Sequence, residues 1–323
     1  MTVSIVLPIY KVKPFIERCV RSLMEQTYKD IEFILVDDAS PDESTEIARQ
    51  VVAGYDRNVQ FITHSENKGL PAARNTGLKA ATGEFVYHCD SDDWLEPDMI
   101  GKMVDAATKN DADFVYCDFF LSFTDKERYM SQPGFTDKFE ALQQGMLTGR
   151  MKHNVWNKLI RRRLYFDNGI QSPEDHNKGG EDYMIVKLLR AANRIAHVPE
   201  ALYHYNRTNV NAITKKSSSK HFEDIKANAD DAISFLTSHP IPDPTFLQFF
   251  KLDIKLPFLM ERDRESVERW RTWYPEANAY ISKDIYLPTR IRFVQCLAKW
   301  NLFPLVHLYS WAVEHLYYKF MYR

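Results

Sequence analysis

The chain has 323 residues, of which 45% are hydrophobic and 27% charged, enough to build one large α/β domain with a smaller region, or two modest domains. A formal net charge of −2 excludes the global basic field that recruits nucleic acid. The four cysteines are scattered without a C-x-x-C pair, which indicates reduced, buried thiols rather than a metal site. We expect a cytoplasmic protein, because the first residues carry no charged leader and no uncharged apolar run approaches about 20 residues.

Five short apolar runs in the first half have the length and composition of strands covered on both faces. They occupy residues 3–9, 33–36, 59–62, 84–88 and 113–117. Helical patterns lie between them at 15–23, from 40 onward, at 69–81 and at 96–108. The segment Ser40-Pro41-Asp42-Glu43 predicts a capping box with proline at the first helical position. Strand–helix units repeated within about 120 residues predict an α/β fold with a doubly wound, mostly parallel sheet.

Acidic residues follow two of the predicted strands, at the edge where an open α/β sheet binds its ligands. Asp37 and Asp38 end the second strand, and residues 90–93 follow the fourth. No G-x-G-x-x-G follows the first strand and no G-x-x-x-x-G-K-[ST] occurs, which excludes the usual Rossmann and P-loop interpretations. Carboxylates gathered at a ligand site, with few cations beside them, indicate a divalent metal between the protein and an anionic ligand.

The tightest acidic cluster is Asp90-Ser91-Asp92-Asp93. Residues two apart in an extended backbone point the same way, so Asp90 and Asp92 can face one ligand. Mg²⁺ and Mn²⁺ use two such carboxylates when substrate phosphates and waters fill the other positions. The alternative is a solvated acidic turn. The position of the cluster at the end of a buried strand, opposite Asp37 and Asp38, favours the metal site.

Several ordered motifs resemble those of family 2 of the nucleotide-sugar glycosyltransferases, which have the GT-A fold. They are VSIVLPIY at 3–10, SLMEQTY at 22–28, VDDAS at 36–40, NKGLPAARNTG at 67–77, ATGE at 81–84 and DSDD at 90–93. The resemblance covers about residues 1–120 and resumes more weakly near 154–207. It implies a GT-A catalytic domain over 1–214, with a nucleotide-binding half (1–120) and an acceptor half (121–214), followed by a helical C-terminal region (215–323).

The resemblance also implies a donor site. Its nucleotide-binding positions match Pro8, Tyr10, Asp38, Asn67, Lys68, Arg74 and Asp90. Asp38 is expected to accept a hydrogen bond from the base, typically uracil, whose imide N–H is a donor. For Arg74 the alternative is a surface salt bridge. Asp90 is expected to contact the ribose, and Asp92, with Asp90, to hold Mn²⁺ or Mg²⁺, which stabilises the charge of the diphosphate leaving group.

A Glu-Asp pair that opens a helix supplies the general base in this family. The matching residues are Glu181 and Asp182, which follow Gly179-Gly180. We expect Asp182 to be the base and Glu181 a less favoured substitute, because adjacent helical positions point about 100° apart. The alternative is an acidic pair placed to suit the helix dipole. One base without a second nucleophilic carboxylate implies single displacement, with inversion at the anomeric carbon.

Two aromatic positions are candidates for the acceptor side. Trp156, in NVWNKL at 154–159, resembles a stretch that lines the acceptor, where an indole can stack on a sugar face. The alternative is a core tryptophan. His204, in YHYNR at 203–207, is placed near the metal or diphosphate in one interpretation and is a structural histidine in the other, which we favour.

The C-terminal region changes in character after a Lys/Ser-rich linker at 215–220. Residues 285–323 combine five Lys or Arg side chains and many aromatics with a single acid, Glu314. This composition fits a helix in a membrane interface, so contact with the inner leaflet is expected. The alternative is a helical cap that packs on protein.

Together these features predict an inverting transferase that moves a sugar from a UDP-sugar to an acceptor hydroxyl, in the synthesis of a cell-surface polysaccharide or lipid-linked glycan. A nucleotidylyltransferase would require a glycine-rich, basic phosphate loop near the N-terminus, which is missing. The remaining alternative is a catalytically silent nucleotide-sugar-binding protein with the same fold. Such a protein would have no reason to keep Asp38, Asp90, Asp92 and Asp182 together.

Overall fold

The computed structural model describes residues 1–175, 180–209, 219–313 and 315. The chain forms two compact units. Unit 1 comprises Met1–Glu140 and His153–Ser238, and unit 2 comprises Ala141–Lys152 and His239–Arg323. The predicted boundary at residue 214 lies outside the described residues. Unit 1 also takes in residues 219–238 of the predicted C-terminal region, whereas unit 2 takes in residues 141–152 of the predicted acceptor half.

Unit 1 is built on a nine-stranded sheet in the described part of the chain. Its strands are β1 Val3–Ile9, β2 Ile31–Asp37, β3 Asn58–Thr63, β4 Phe85–His88, β5 Trp94–Leu95, β6 Phe114–Ser122, β7 Glu127–Met130, β8 Lys158–Arg161 and β9 Ile195–Asn206. The order is β3-β2-β1-β4-β8-β6-β9-β5, with β7 on β6. All five predicted strands are present, and the first four run parallel as β3-β2-β1-β4. The predicted α/β class is therefore confirmed, and antiparallel pairing enters the sheet through β8, β7 and β5.

Eight helices belong to the described part of unit 1. They are α1 Ile16–Met24, α2 Ser44–Val52, α3 Leu70–Ala80, α4 Met99–Asn110, α5 Lys138–Glu140, α6 Arg163–Asp167, α7 Gly180–Ala191 and α8 Ser219–Ser238. All seven residues of β1 are buried, as a strand covered on both faces requires. The apolar side of α1 (Ile16, Cys19, Val20, Leu23) joins the core on one of these faces.

The second helix begins later than its sequence predicts. It starts at Ser44, and Ser40 does not cap it. The Ser40 hydroxyl instead accepts the backbone N–H of Lys11 at 2.9 Å and donates to Asp42 Oδ1 at 2.7 Å. Asp42 Oδ1 accepts the backbone N–H of Ser44, the first residue of the helix, at 3.2 Å. The predicted capping box is wrong because Ser40 links the loop after β2 to the loop after β1.

Unit 2 is helical in the residues that the structure describes. A π-helical turn (Ala141–Gly145) and a 3-10 turn (Met146–Thr148) precede α9 Thr245–Lys255, α10 Arg264–Thr272, α11 Thr289–Lys299 and α12 Phe303–Ala312, with further 3-10 turns at Leu256–Leu259 and Pro275–Lys283. Phe250 and Trp270 lie in the core of this unit. The predicted C-terminal helices are thus present. None of the helices described in either unit has the length and apolar character needed to cross a membrane.

Candidate active site

The loops after β1, β2 and β4 meet at one edge of the sheet because these three parallel strands are neighbours. Helix α3 lies against β1 beside them. Its Gly77 is so close to the strand that an added Cβ would overlap Cγ1 of Val6. A glycine at this point lets α3 approach the sheet, which brings Arg74 to the loop after β4.

Arg74 and Asp90 form the first contact at this edge. The Arg74 side chain is 1% exposed and donates from Nη2 to Asp90 Oδ1, while the Asp90 side chain is 25% exposed. The alternative of a surface salt bridge for Arg74 is therefore wrong. The buried guanidinium of Arg74 thus holds the Asp90 carboxylate, which remains partly open to solvent.

Asp92 and Asp93 occupy different environments although they are adjacent. Asp92 Oδ2 accepts from Asn209 Nδ2 at 2.8 Å, and the Asp92 carbonyl accepts from Asn206 Nδ2 at 3.0 Å. Asp93 is fully buried and accepts the hydroxyl of Tyr203 and, at 2.7 Å, the backbone N–H of Asn206. Asp93 is therefore a structural residue that ties the loop after β4 to the end of β9.

The charges in this loop repel one another. Burial raises the pKa of Asp92, and the neighbouring charge of Asp90 raises it further. The pKa of Asp93 is raised well above its ordinary value by burial and by Asp92 and Asp90. A divalent cation would relieve this repulsion.

The chemistry of these side chains fits Mg²⁺ or Mn²⁺, which protein sites commonly hold through one or two carboxylates. Within the described ranges, no group of three or more His, Cys, Asp or Glu side chains is arranged to hold a metal. If Asp90 and Asp92 held such an ion, substrate phosphate oxygens and waters would have to fill its other coordination positions.

Asp38 is buried, with 2% exposure, and its carboxylate is engaged within the protein. Oδ1 accepts the backbone N–H of Lys68 at 2.9 Å and a hydrogen bond from His64 at 2.7 Å. Oδ2 accepts from the backbone N–H of Gly69 and from Asn67 Nδ2, both at 2.8 Å. An ionised carboxylate offers about four acceptor positions, so the expected hydrogen bond to a base would compete with internal ones. Asp38 holds the 67–69 loop at the start of α3.

His64 belongs to the site, and the sequence motifs do not include it. Its Nδ1 pairs with Asp38 Oδ1, and its Nε2 lies 2.9 Å from Thr76 Oγ1 on α3. An imidazole that donates to a carboxylate through Nδ1 can accept the Thr76 hydroxyl through Nε2. The available signal was its position directly after β3, at the edge to which Asp38 and Asp90 belong.

The other predicted nucleotide-binding residues lie at this edge. Pro8 is buried within β1, whereas Tyr10, just beyond the strand, is 37% exposed with its ring 5.0 Å from Lys11 Nζ. Asn67 and Lys68 are exposed in the loop that Asp38 holds. Tyr10, Lys11 and Lys68 are therefore exposed to solvent at the ends of these strands.

Trp156 lies in the core. It is 5% exposed and stacks on Tyr203, with ring centroids 4.4 Å apart, and on Tyr205 at 5.3 Å. Phe119 packs edge-on against it at 4.8 Å. Because neighbouring rings cover the indole, the structure supports the core alternative of the two interpretations and leaves no free ring face for an acceptor sugar.

His204 is a structural residue. Its ring stacks on Trp94 at 4.7 Å and on Phe120 at 5.0 Å. Nε2 lies 2.9 Å from Glu96 Oε1, and Nδ1 lies 2.8 Å from Glu127 Oε1. With both nitrogens bound to these carboxylates, the imidazole is not available to a metal or diphosphate. The favoured structural interpretation is confirmed.

Glu181 and Asp182 fall in the first turn of α7, the helix that the sequence predicts at this point. Their side chains lie outside the described part of the structure. The apolar positions that follow are fully buried at Ile185, Leu188, Leu189 and Ala192. One face of α7 is thus fixed in the core of unit 1.

Comparison with known proteins assigns the chain to a family. The sequence model of glycosyl transferase family 2 matches residues 4–173. EpsJ of Bacillus subtilis, described as an uncharacterised glycosyltransferase, is 36% identical over 221 residues, which are 66% of this chain and 63% of the relative. The chain therefore spans less than two thirds of that relative's length. The minor teichoic acid biosynthesis protein GgaB of the same organism is 25% identical over 311 residues, which cover 89% of this chain and 33% of GgaB.

Among solved structures, S. aureus TarS 1–349 in complex with UDP-GlcNAc shares the fold. It superposes with a TM-score of 0.70 at 19% identity, covering 97% of this chain and 92% of that one. The order of strands, the acidic loop after β4 and the family match agree on the GT-A fold. The chain belongs to glycosyl transferase family 2.

Proposed function

We propose that the protein transfers a sugar from a UDP-sugar to an acceptor hydroxyl, with inversion at the anomeric carbon. One observation carries the proposal. The Arg74–Asp90 pair adjoins Asp92, a carboxyl of raised pKa, at the edge of a parallel sheet that binds ligands in related folds. The TarS structures with UDP and UDP-GlcNAc support a uridine nucleotide as donor.

Asp90 and Asp92 would hold Mn²⁺ or Mg²⁺. When bound, the ion neutralises charge on the diphosphate leaving group. Arg74 donates to the Asp90 carboxylate and so fixes its position. Asp38 contributes indirectly, because its bonds to the backbone of Lys68 and Gly69 shape the loop beside the base.

Asp182 is the proposed general base. It would accept the proton of the acceptor hydroxyl as that oxygen attacks the anomeric carbon and the UDP oxygen leaves. The buried face of α7 supports this role, because it anchors the helix that carries Asp182. A single base with no opposing nucleophilic carboxylate corresponds to one displacement and hence to inversion.

The acceptor is proposed to be a growing cell-surface polysaccharide or a lipid-linked glycan. The name of GgaB, a teichoic acid biosynthesis protein, supports this class of acceptor. The alternative is a protein of the same fold that binds nucleotide sugars without transferring them. Both proteins would bind UDP, but only the transferase would show turnover.

The test combines thermal shift with turnover. UDP at 100 times its dissociation constant should raise stability by about 2.7 kcal/mol in Mn²⁺ or Mg²⁺, and not in EDTA or with GDP. Asp182→Asn should keep this shift and lose turnover by about 10²- to 10⁴-fold. Asp167→Asn, an exposed carboxylate on α6, is the matched control and should retain both. Full turnover of Asp182→Asn would remove Asp182 as the base.

We propose that an exposed apolar surface of unit 2 contacts an anionic membrane. We define the C-terminal surface by its exposed large apolar side chains, which are Ile285, Phe293, Trp300, Leu302, Leu305, Leu308 and Trp311. Trp300 is 65% exposed and Leu308 60%. Residues 285–313 contain Arg290, Arg292 and Lys299 and no Asp or Glu. Positive charge beside exposed aromatic and aliphatic side chains suits the inner leaflet, where lipid-linked acceptors are found.

Vesicle co-sedimentation tests this contact. The full chain should pellet with vesicles that contain phosphatidylglycerol and much less with phosphatidylcholine alone. Trp300→Ser with Leu308→Ser should abolish pelleting, whereas Tyr129→Ser, which removes an exposed aromatic in unit 1, should not. Equal pelleting of the variants would contradict the proposal. So would self-association that these substitutions abolish, because it would assign the surface to a second copy of the chain.

A further inference from the structure

Two adjacent residues of α3 make contacts in different directions. Arg74 binds Asp90 in the proposed donor site. Asn75, which is 2% exposed, binds the segment that precedes α7. Its Nδ2 donates to the Ser172 carbonyl and to Glu174 Oε1, both at 2.8 Å, and its Oδ1 accepts the Ser172 backbone N–H at 3.0 Å. The carboxamide of Asn75 thus pairs with both backbone groups of Ser172.

Ser172 also contacts α7. Its side chain is buried, and its hydroxyl donates to Met184 Sδ at 3.7 Å. Met184 lies on α7 two residues after Asp182. A continuous series of contacts therefore runs from Asp90 through Arg74, α3, Asn75 and Ser172 to the helix that carries the proposed base.

Helix α3 is well suited to be the fixed member of this series. Gly77 lies against Val6 with no space for a Cβ, so the helix cannot shift towards β1. Neighbouring positions on a helix point about 100° apart. One rigid helix can therefore hold a donor-site carboxylate with one residue and the base-bearing segment with the next.

We propose that Asn75 is a positioning residue that sets the distance between the donor site and the proposed base. This inference rests on the proposed role of Asp182. The chemistry requires an amide, because only Asn or Gln both donates and accepts through neutral groups of this shape. Displacement of a catalytic group by about 1 Å costs about 10²-fold in rate. Loss of the Asn75 contacts should therefore lower kcat while nucleotide binding persists.

The first experiment compares Asn75→Ala with Gln26→Ala. Gln26 is a matched control, since its buried carboxamide also makes three hydrogen bonds, to the carbonyls of Ser22 (3.1 Å) and Glu96 (2.8 Å) and the N–H of Ile100 (3.1 Å). Both variants should lower Tm. We expect Asn75→Ala to lower kcat by about 10- to 100-fold with its UDP dissociation constant within about threefold, and Gln26→Ala to keep kcat within about threefold. Equal kcat in the two variants would overturn the inference.

A second pair of variants tests the amide group while the size of the side chain at position 75 is kept. Asn75→Asp removes the donor and places a carboxylate against Glu174, so kcat should fall. Adding Glu174→Gln restores one hydrogen bond with donor and acceptor exchanged, and kcat should recover in part. Failure of the second substitution to raise kcat would contradict the role of this contact.

Failure of the proposed function can be distinguished from failure of the inference on Asn75. If the proposed function is wrong, the unmodified chain will lack metal-dependent stabilisation by UDP, or Asp182→Asn will retain full turnover. If only the inference is wrong, those results will stand and the Asn75 variants will match Gln26→Ala.

Discussion

The loops after β2 and β4 both place aspartates at the carboxyl edge of the sheet, but they use them differently. Asp38 accepts four hydrogen bonds from His64, Asn67 and the backbone of Lys68 and Gly69. Asp90 instead has a partly exposed side chain, and Asp92 is destabilised in its charged form by burial and by Asp90. The donors around an aspartate at a strand end, and not its position alone, thus decide whether its carboxylate is used up inside the protein. Four substitutions test this distinction.

The largest effect is expected at Asp92. Asp92→Asn should lower turnover by about a hundredfold or more, because metal stabilisation of a leaving group is worth several kcal/mol. Metal-dependent stabilisation by UDP should be lost as well. Folding stability should stay the same or rise, since the substitution removes a charge that burial and Asp90 disfavour. Asp105→Asn on α4 is the exposed control. Unchanged dependence of UDP binding on Mn²⁺ would contradict the metal role.

Substitution of Asp38 should mainly lower folding stability, in contrast to substitution of Asp92. Asp38→Asn replaces an acceptor with a donor that faces other donors, so the free energy of unfolding should fall by about 2–4 kcal/mol. Asp37→Asn is the control, because Asp37 accepts a single backbone N–H, that of Ser40, at 2.9 Å. Urea denaturation measures both. Equal losses at the two positions would show that Asp38 does not brace the loop.

Two histidines near this edge of the sheet also differ. His64 is paired with Asp38, whereas His88, at the end of β4, is buried and faces the charge of Arg74. Burial first, and then Arg74, lower the pKa of His88 from 6.5 to about 3. Neither ring nitrogen has a hydrogen-bond partner among the described residues.

The pH dependence follows from this pKa. Between about pH 3 and pH 6.5 the unfolded chain binds a proton at His88 that the folded chain does not, so stability falls as the pH falls. At pH 5 the loss should be about 2 kcal/mol. His88→Phe should reduce the difference in unfolding free energy between pH 7 and pH 5 by that amount, whereas His315→Phe, an exposed control in unit 2, should not. Equal pH profiles would contradict the lowered pKa.

The smallest effect is expected at Lys68. Its backbone N–H holds Asp38, while its side chain is exposed. Lys68→Ala should leave stability within about 0.5 kcal/mol and weaken UDP binding only a few-fold, with a reduced dependence on salt. Gly69→Ala is the contrasting variant, because φ of +92° disfavours a side chain, and it should destabilise the loop. Loss of stability in Lys68→Ala would show that the side chain also supports the fold.

Much of the fold could be predicted from the chain itself. The five apolar runs became β1 to β4 and β6, and the motifs at 36–40 and 90–93 lie at the strand ends where a ligand site was expected. The start of α2 was wrong because Ser40 bonds to Lys11 across two loops. Trp156 had two open interpretations, and the stacked rings of Tyr203 and Tyr205 decided between them.

The sequence by itself determined five of the strands, the helices between them and the acidic edge, because apolar periodicity and turn chemistry act over a few residues. Tertiary structure alone decided how each polar group is used. Asp38 meets His64 across 26 residues, Asn75 meets Ser172 across 97, and Asp92 meets Asn209 across 117. A carboxylate or amide binds whichever donors and acceptors the folded chain brings within about 3 Å, and that proximity is a property of packing rather than of local sequence.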